Sequence, residues 1–98
     1  MFELKYYEAI IETIHQGAYD ICTPVDTDEL YKLARRVKKA GRCYKEWCGA
    51  LLLRCKDLEA GLLGSFRNYR YMEQLIVLAV LIEILNELYE GFLQEGLA

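Results

Sequence analysis

The stretch from Leu30 to Leu62 constrains the fold of this 98-residue chain more than any other part of the sequence. Apolar residues recur along it at alternating steps of three and four, which is typical of an α-helix with one buried face. This apolar stripe consists of Leu30, Leu33, Val37, Ala40, Tyr44, Trp47, Leu51, Cys55, Leu58 and Leu62. A second set of residues lies away from that stripe, within an arc of about 120° on a helical wheel. All five are basic: Arg35, Lys38, Lys39, Arg42 and Lys45. The sequence therefore predicts a helix with one face for a core and one for water or an acidic partner.

Two further helical segments flank this one. The first is predicted from about Phe2 to His15 and ends before Gly17, which is a natural stop. The central helix begins at Asp26, whose side chain can cap it. Gly41 could end this helix, since Lys38 and Lys39 just before it suit a helix C-terminus. The apolar stripe keeps phase across Gly41, however, so we expect the helix to continue, straight or kinked, to about residue 61. The third helix is predicted over about residues 66–94. The fold class is thus all-α, with a single helical domain over residues 1–98 that consists of a short N-terminal helix and a long antiparallel helical hairpin.

The third helix carries more apolar surface than one antiparallel neighbour can cover. Apolar residues make up 54% of the chain, above the usual share for a soluble domain. Either the core of one chain is very full or a second chain covers the excess, and we expect the second. A homodimer would then complete a helical bundle. The predicted seam follows a three–four spacing: Leu75, Leu78, Ile82, Leu85, Tyr89 and Phe92.

The charge of the chain is unevenly distributed. Residues 31–56 hold nine basic residues and one acidic residue, whereas residues 1–30 and 57–98 carry net charges of −6 and −5. The basic stripe, with Tyr31 beside it, is therefore the predicted contact surface for a larger protein with an acidic patch. Nucleic-acid binding through the same stripe is the alternative, although the chain as a whole carries a net charge of −3. The stripe could also be a solvated face that pairs with the acidic flanking helices.

The cysteines and the single histidine form no recognisable reactive or metal-binding pattern. Cys43, Cys48 and Cys55 do not match the paired spacing of zinc sites. A nucleophile pair of Cys22 and His15 would need an orienting group and an oxyanion site, and the sequence shows neither. We therefore expect no metal, no cofactor and no enzyme activity. No stretch approaches the roughly 20 apolar residues of a membrane span, and no secretory signal opens the sequence. A cytoplasmic protein with reduced thiols and no membrane association is predicted.

The function that these features favour is a non-enzymatic protein–protein interaction module. Its size is that of a small adaptor or inhibitor, such as a bacterial or phage accessory protein. It would bind through the basic helix face and Tyr31, and it would act as a homodimer. Salt response separates the two hypotheses, because phosphate contacts weaken steeply as salt rises.

Overall fold

The computed structural model describes residues 2–16, 25–64 and 70–97, and every regular element in these ranges is helical. The helices are α1 (Phe2–His15), α2 (Thr27–Ala40), a 3₁₀ turn (Arg42–Tyr44), α3 (Lys45–Leu63) and α4 (Arg70–Leu97). The predicted all-α fold is confirmed. No helix in the described part of the chain is long and apolar enough to span a membrane. Cys22 and the predicted start of the third helix at residue 66 lie outside the described residues.

The first helix has the bounds that the sequence predicted. Its apolar residues fall at helical spacing, and Leu4, Tyr7, Ile11 and Ile14 are buried. Glu3 lies in the first turn and His15 in the last, where their side chains suit the helix dipole. The helix therefore forms for local reasons and is held in place by one continuous buried face.

The predicted continuous central helix is wrong at Gly41. Asp26 caps α2 as expected, since its Oδ1 accepts a hydrogen bond of 3.0 Å from the backbone N–H of Asp28. The helix then ends at Ala40, and Gly41 adopts φ 102° and ψ 172°. That conformation lies in a region of backbone space that is essentially restricted to glycine. The chain therefore leaves the helical path at Gly41 and starts a new helix at Lys45.

The predicted stripe remains on the core side of both helices, although the break interrupts it. Ala40 is exposed and Trp47 is half-buried. Half of the stripe is buried: Leu30, Leu33, Val37, Leu51 and Cys55. Apolar spacing can thus keep phase across a helix break, because both helices pack their apolar faces on the same core.

The four α-helices pack around one core: α4 contacts α1, α2 and α3, and α1 also contacts α2 and α3. The α3 and α4 helices form the main antiparallel pair. Near the start of α3, a Cβ on Gly49 would lie only 2.9 Å from Cε2 of Tyr89, far along α4. The absence of a side chain at Gly49 therefore lets the Tyr89 ring approach the α3 backbone. The antiparallel hairpin is thus formed by α3 and α4, and its first arm is shorter than predicted because α2 is not part of it.

The α1 helix packs between α2 and α3. Its Tyr7 hydroxyl donates a hydrogen bond of 2.6 Å to the backbone carbonyl of Leu30 in α2. On the other side, Nε1 of Trp47 in α3 donates to Oε2 of Glu8 at 3.0 Å. The α2 helix packs on α4, and within the described residues it does not contact α3. These consecutive helices are thus diagonal to each other in the bundle.

The predicted dimer seam on α4 is largely core within one chain. Leu78, Leu85 and Phe92 are buried among the chain's own helices, whereas Leu75, Ile82 and Tyr89 are half-buried. The reason is that three helices contact α4, because the break at Gly41 lets α2 fold onto it beside α3. A second copy cannot reach the three buried side chains unless this core opens, so the six residues do not form an exposed seam.

Candidate interaction surface

The predicted basic stripe does not form one helix face. Arg35, Lys38 and Lys39 lie on α2 with Tyr31, while Arg42 lies in the 3₁₀ turn and Lys45 begins α3. Since Gly41 redirects the chain, the six predicted contact residues divide into two groups. The first group is on α2, and the second group, Arg42 and Lys45, follows Gly41 and lies closer to the C-terminal part of α4.

Tyr31, Arg35 and Lys38 of the first group border an open groove between α2 and α4, of about 560 Å³, which we call the α2/α4 groove. Lys39 is exposed on α2 outside this groove. Its floor is lined by the half-buried residues Ala34 and Gly91, and beneath them by the buried side chains of Ile84, Leu88 and Phe92. Arg35 and Lys38 line the side that belongs to α2. Three carboxylates line the side that belongs to α4: Glu87, Glu90 and Glu95. The groove thus has one basic wall and one acidic wall.

The two walls are not joined by salt bridges. Among the described residues, the ion pairs within 4.0 Å are Arg36 with Glu3, at 3.8 Å, and Arg54 with Glu12, at 2.6 Å. Arg35 and Lys38 of the α2/α4 groove take part in neither pair. The groove therefore offers both signs of charge to whatever enters it.

Tyr31 links the two helices at one end of the groove. Its hydroxyl donates a hydrogen bond of 3.2 Å to Oε2 of Glu83, and 36% of the residue is exposed. Desolvation raises the pKa of the Tyr31 phenol, and the negative charge of Glu83 raises it further. The Tyr31 ring thus supplies an exposed aromatic surface beside a fixed polar contact, a combination that is common in protein interfaces.

The second group surrounds the C-terminal end of α4. A Cβ on Gly96 would lie 3.4 Å from Nη1 of Arg42, so the Arg42 guanidinium lies beside the last turn of that helix. A cation is favourable there, because the final carbonyl groups carry partial negative charge. Lys45 lines a separate shallow depression, which it shares with Leu53 and Tyr89. Arg42 is thus placed to stabilise the fold, and Lys45 does not share a surface with Arg35 and Lys38.

The two buried thiols are poorly suited to nucleophilic chemistry. Burial raises the pKa of the Cys48 thiol to about 11 and that of the Cys55 thiol to about 12, so both are protonated at neutral pH. Cys43 is exposed and free. His15 is exposed at the end of α1. No group of three or more potential metal ligands occurs within residues 2–16, 25–64 and 70–97.

Sequence reasoning identified the basic wall of the groove but not its acidic wall. Glu87 and Glu90 belong to a polar arc on the predicted third helix, and Glu95 lies beyond the end predicted for that helix. The spacing places Glu87 and Glu90 on one side of the helix, but it does not show that α2 lies beside them. That neighbour depends on the reversal of the chain at Gly41.

The comparisons with known proteins give no relative from which to transfer a function. No protein-family model matches the chain, and no curated protein or solved structure shows a significant similarity to it. The functional argument therefore depends on the surface of the chain itself.

Proposed function

We propose that this chain is a non-enzymatic protein-interaction module, of the adaptor or inhibitor type, and that a helical segment of a protein partner binds in the α2/α4 groove. The observation that supports this most is the composition of the groove. Small residues at its floor, Ala34 and Gly91, let a helix approach between two charged walls, which can pair with charged residues on the flanks of that helix.

The charges of the groove favour a protein over a nucleic acid. A nucleic acid that followed Arg35 and Lys38 would bring its phosphates towards Glu87, Glu90 and Glu95 on the other wall. A protein helix can instead present acidic residues to α2 and basic residues to α4. The predicted acidic patch of the partner is thereby refined to a surface that carries both signs.

The described thiols suit a reducing compartment. Cys43, Cys48 and Cys55 are all free, and free thiols persist where glutathione and thioredoxin keep them reduced. We therefore propose a cytoplasmic site of action.

Site-specific photo-cross-linking in the native cells tests this function. A photoreactive amino acid would replace Lys38, in the groove, and in a matched control it would replace Lys56, which is exposed on α3. We expect protein adducts at position 38 and none at position 56. Nucleic-acid adducts at position 38 would favour the alternative function, and the absence of any adduct at that position would contradict the proposal.

A further inference from the structure

We infer that the occupant of the α2/α4 groove is a second copy of this chain, which docks through its own α2/α4 groove about a two-fold axis that runs along the groove. The inference depends on the proposed function and names the partner for that same site. It replaces the predicted seam on α4, three of whose residues are buried within one chain.

The direction of the two helices decides which symmetry the charges allow. α2 and α4 run in the same direction, because Tyr31 contacts Glu83 at one end of the groove and Arg42 lies beside Gly96 at the other. A two-fold axis parallel to both helices places α2 of each copy over α4 of the other. The basic wall then meets the acidic wall twice. An axis across the groove would place α2 on α2 and α4 on α4, and like charges would oppose each other.

The spacing of the charged residues fits this symmetry. Starting from the contact between Tyr31 and Glu83, Arg35 and Glu87 both lie four residues further along their helices. Lys38 and Glu90 both lie seven residues further. At 1.5 Å per residue, these steps are about 6 Å and about 10 Å on either helix. Rotation about an axis along the groove does not change the position of a residue along that axis. Arg35 of one copy therefore meets Glu87 of the other, and Lys38 meets Glu90.

The floor of the groove permits a close approach. Ala34 and Gly91 are both half-buried residues with little or no side chain. A Cβ added to Gly91 would have nothing within 4 Å, so the space above this part of α4 is open. The exposed Tyr31 ring adds aromatic surface at the rim. Because a two-fold interface is self-complementary, each of these features is used twice.

Charge reversal on the purified full-length chain tests the inference. Sedimentation velocity would compare the parent with a basic-wall variant (Arg35→Glu with Lys38→Glu) and an acidic-wall variant (Glu87→Lys with Glu90→Lys). We expect a parent dimer that weakens as salt rises, since salt screens exposed charge pairs. In each variant we expect the dimer dissociation constant to rise at least about tenfold, a loss of about 1.4 kcal/mol.

Two rescue experiments distinguish this symmetry from a general charge effect. An equimolar mixture of the two variants should form a heterodimer, because both grooves then face the opposite charge. A single chain with all four substitutions should form a homodimer again, since its walls are exchanged. The control carries Lys32→Glu with Lys56→Glu, which changes the net charge by the same amount as the basic-wall variant, on exposed residues outside the groove. It should dimerise like the parent.

A steric variant tests the same interface independently, in case the charge variants do not fold. Gly91→Gln should leave the helical circular dichroism of the chain intact and block the dimer, because its side chain fills open space in the groove. A parent that stays monomeric at every concentration, or variants that dimerise like the parent, would overturn the inference. If the purified chain is monomeric while position 38 still forms adducts with a different protein in cells, this inference fails and the proposed function stands. If the chain dimerises but the groove variants have no effect, the inference fails, and the adducts at position 38 decide separately whether the groove binds another protein.

Discussion

Tyr7 carries the most buried polar contact between two helices in the described part of the chain. Its ring is fully buried, and its hydroxyl donates to the carbonyl of Leu30. Burial raises the pKa of the Tyr7 phenol well above its ordinary value, and the nearby thiol of Cys48 and carboxylate of Glu3 act in the same direction. The folded state therefore holds the Tyr7 proton more tightly than the unfolded state does.

Tyr7→Phe should change both the stability of the fold and its dependence on pH. At neutral pH we expect a loss of about 1 kcal/mol, the usual net value of one hydrogen bond. Above the ordinary tyrosine pKa of about 10, the unfolded parent loses the proton that the folded parent keeps. The free energy of unfolding of the parent should then fall as pH rises, by up to about 1.4 kcal/mol per pH unit from this group.

Urea denaturation at several pH values between neutral and alkaline checks this behaviour. Because the variant lacks the Tyr7 phenol, the stability difference between parent and variant should shrink above about pH 10. Burial also raises the pKa of the Cys48 and Cys55 thiols, but both proteins contain them and the difference cancels their effect. A difference that stays constant over the whole range would show that Tyr7 ionises equally in both states.

At the scale of elements, Gly41 decides the architecture. Gly41→Ala should lower the free energy of unfolding by about 1–3 kcal/mol, because a Cβ is strained at φ 102°. The matched control is Gly91→Ala, at a helical position where a Cβ meets nothing within 4 Å. It should raise stability by up to about 1 kcal/mol, the difference in helix propensity.

Chemical denaturation at one low protein concentration measures both alanine variants. Opposite signs are expected from the same chemical change, since only the backbone conformation differs between the two positions. A stabilised Gly41→Ala protein would mean that α2 continues into α3 as one helix.

The sequence predicted the elements best where local signals agreed. The apolar spacing and Gly17 defined α1, and the capping side chain of Asp26 marked the start of α2. At Gly41 the local signals conflicted, because Lys38 and Lys39 favoured a helix end while the apolar spacing favoured continuation. The apolar spacing is misleading there because α2 and α3 both pack their apolar faces on one core, so the spacing keeps phase although the helix ends.

At the scale of the whole molecule, contacts between residues that are distant in sequence determine the features that local patterns do not predict. Arg35 and Lys38 could be recognised as a basic stripe from spacing alone. Their position opposite Glu87 and Glu90 could not, because it requires α2 to lie beside α4. The same packing explains why part of the predicted seam is buried within one chain, because α2 covers apolar surface on α4 that the prediction assigned to a second copy.

The role of the buried α4 residues can be measured directly. Leu85 is fully buried, so Leu85→Ala should lower the free energy of unfolding by about 2–5 kcal/mol through lost contacts and a residual cavity. The matched control is Leu53→Ala on α3, because Leu53 is 62% exposed. Its effect should stay within about 0.5 kcal/mol, which is usual for surface substitutions.

Dependence on protein concentration separates a core from a seam between copies. If Leu85 lies in the core of one chain, the stability difference between parent and Leu85→Ala should be the same at every concentration, whether or not the chains associate through the α2/α4 groove. If Leu85 contacts a second copy instead, the difference should shrink on dilution, because association stabilises only the associated state. Thermal unfolding over a hundredfold range of concentration, with Leu53→Ala measured alongside, therefore decides between one full core and a shared one.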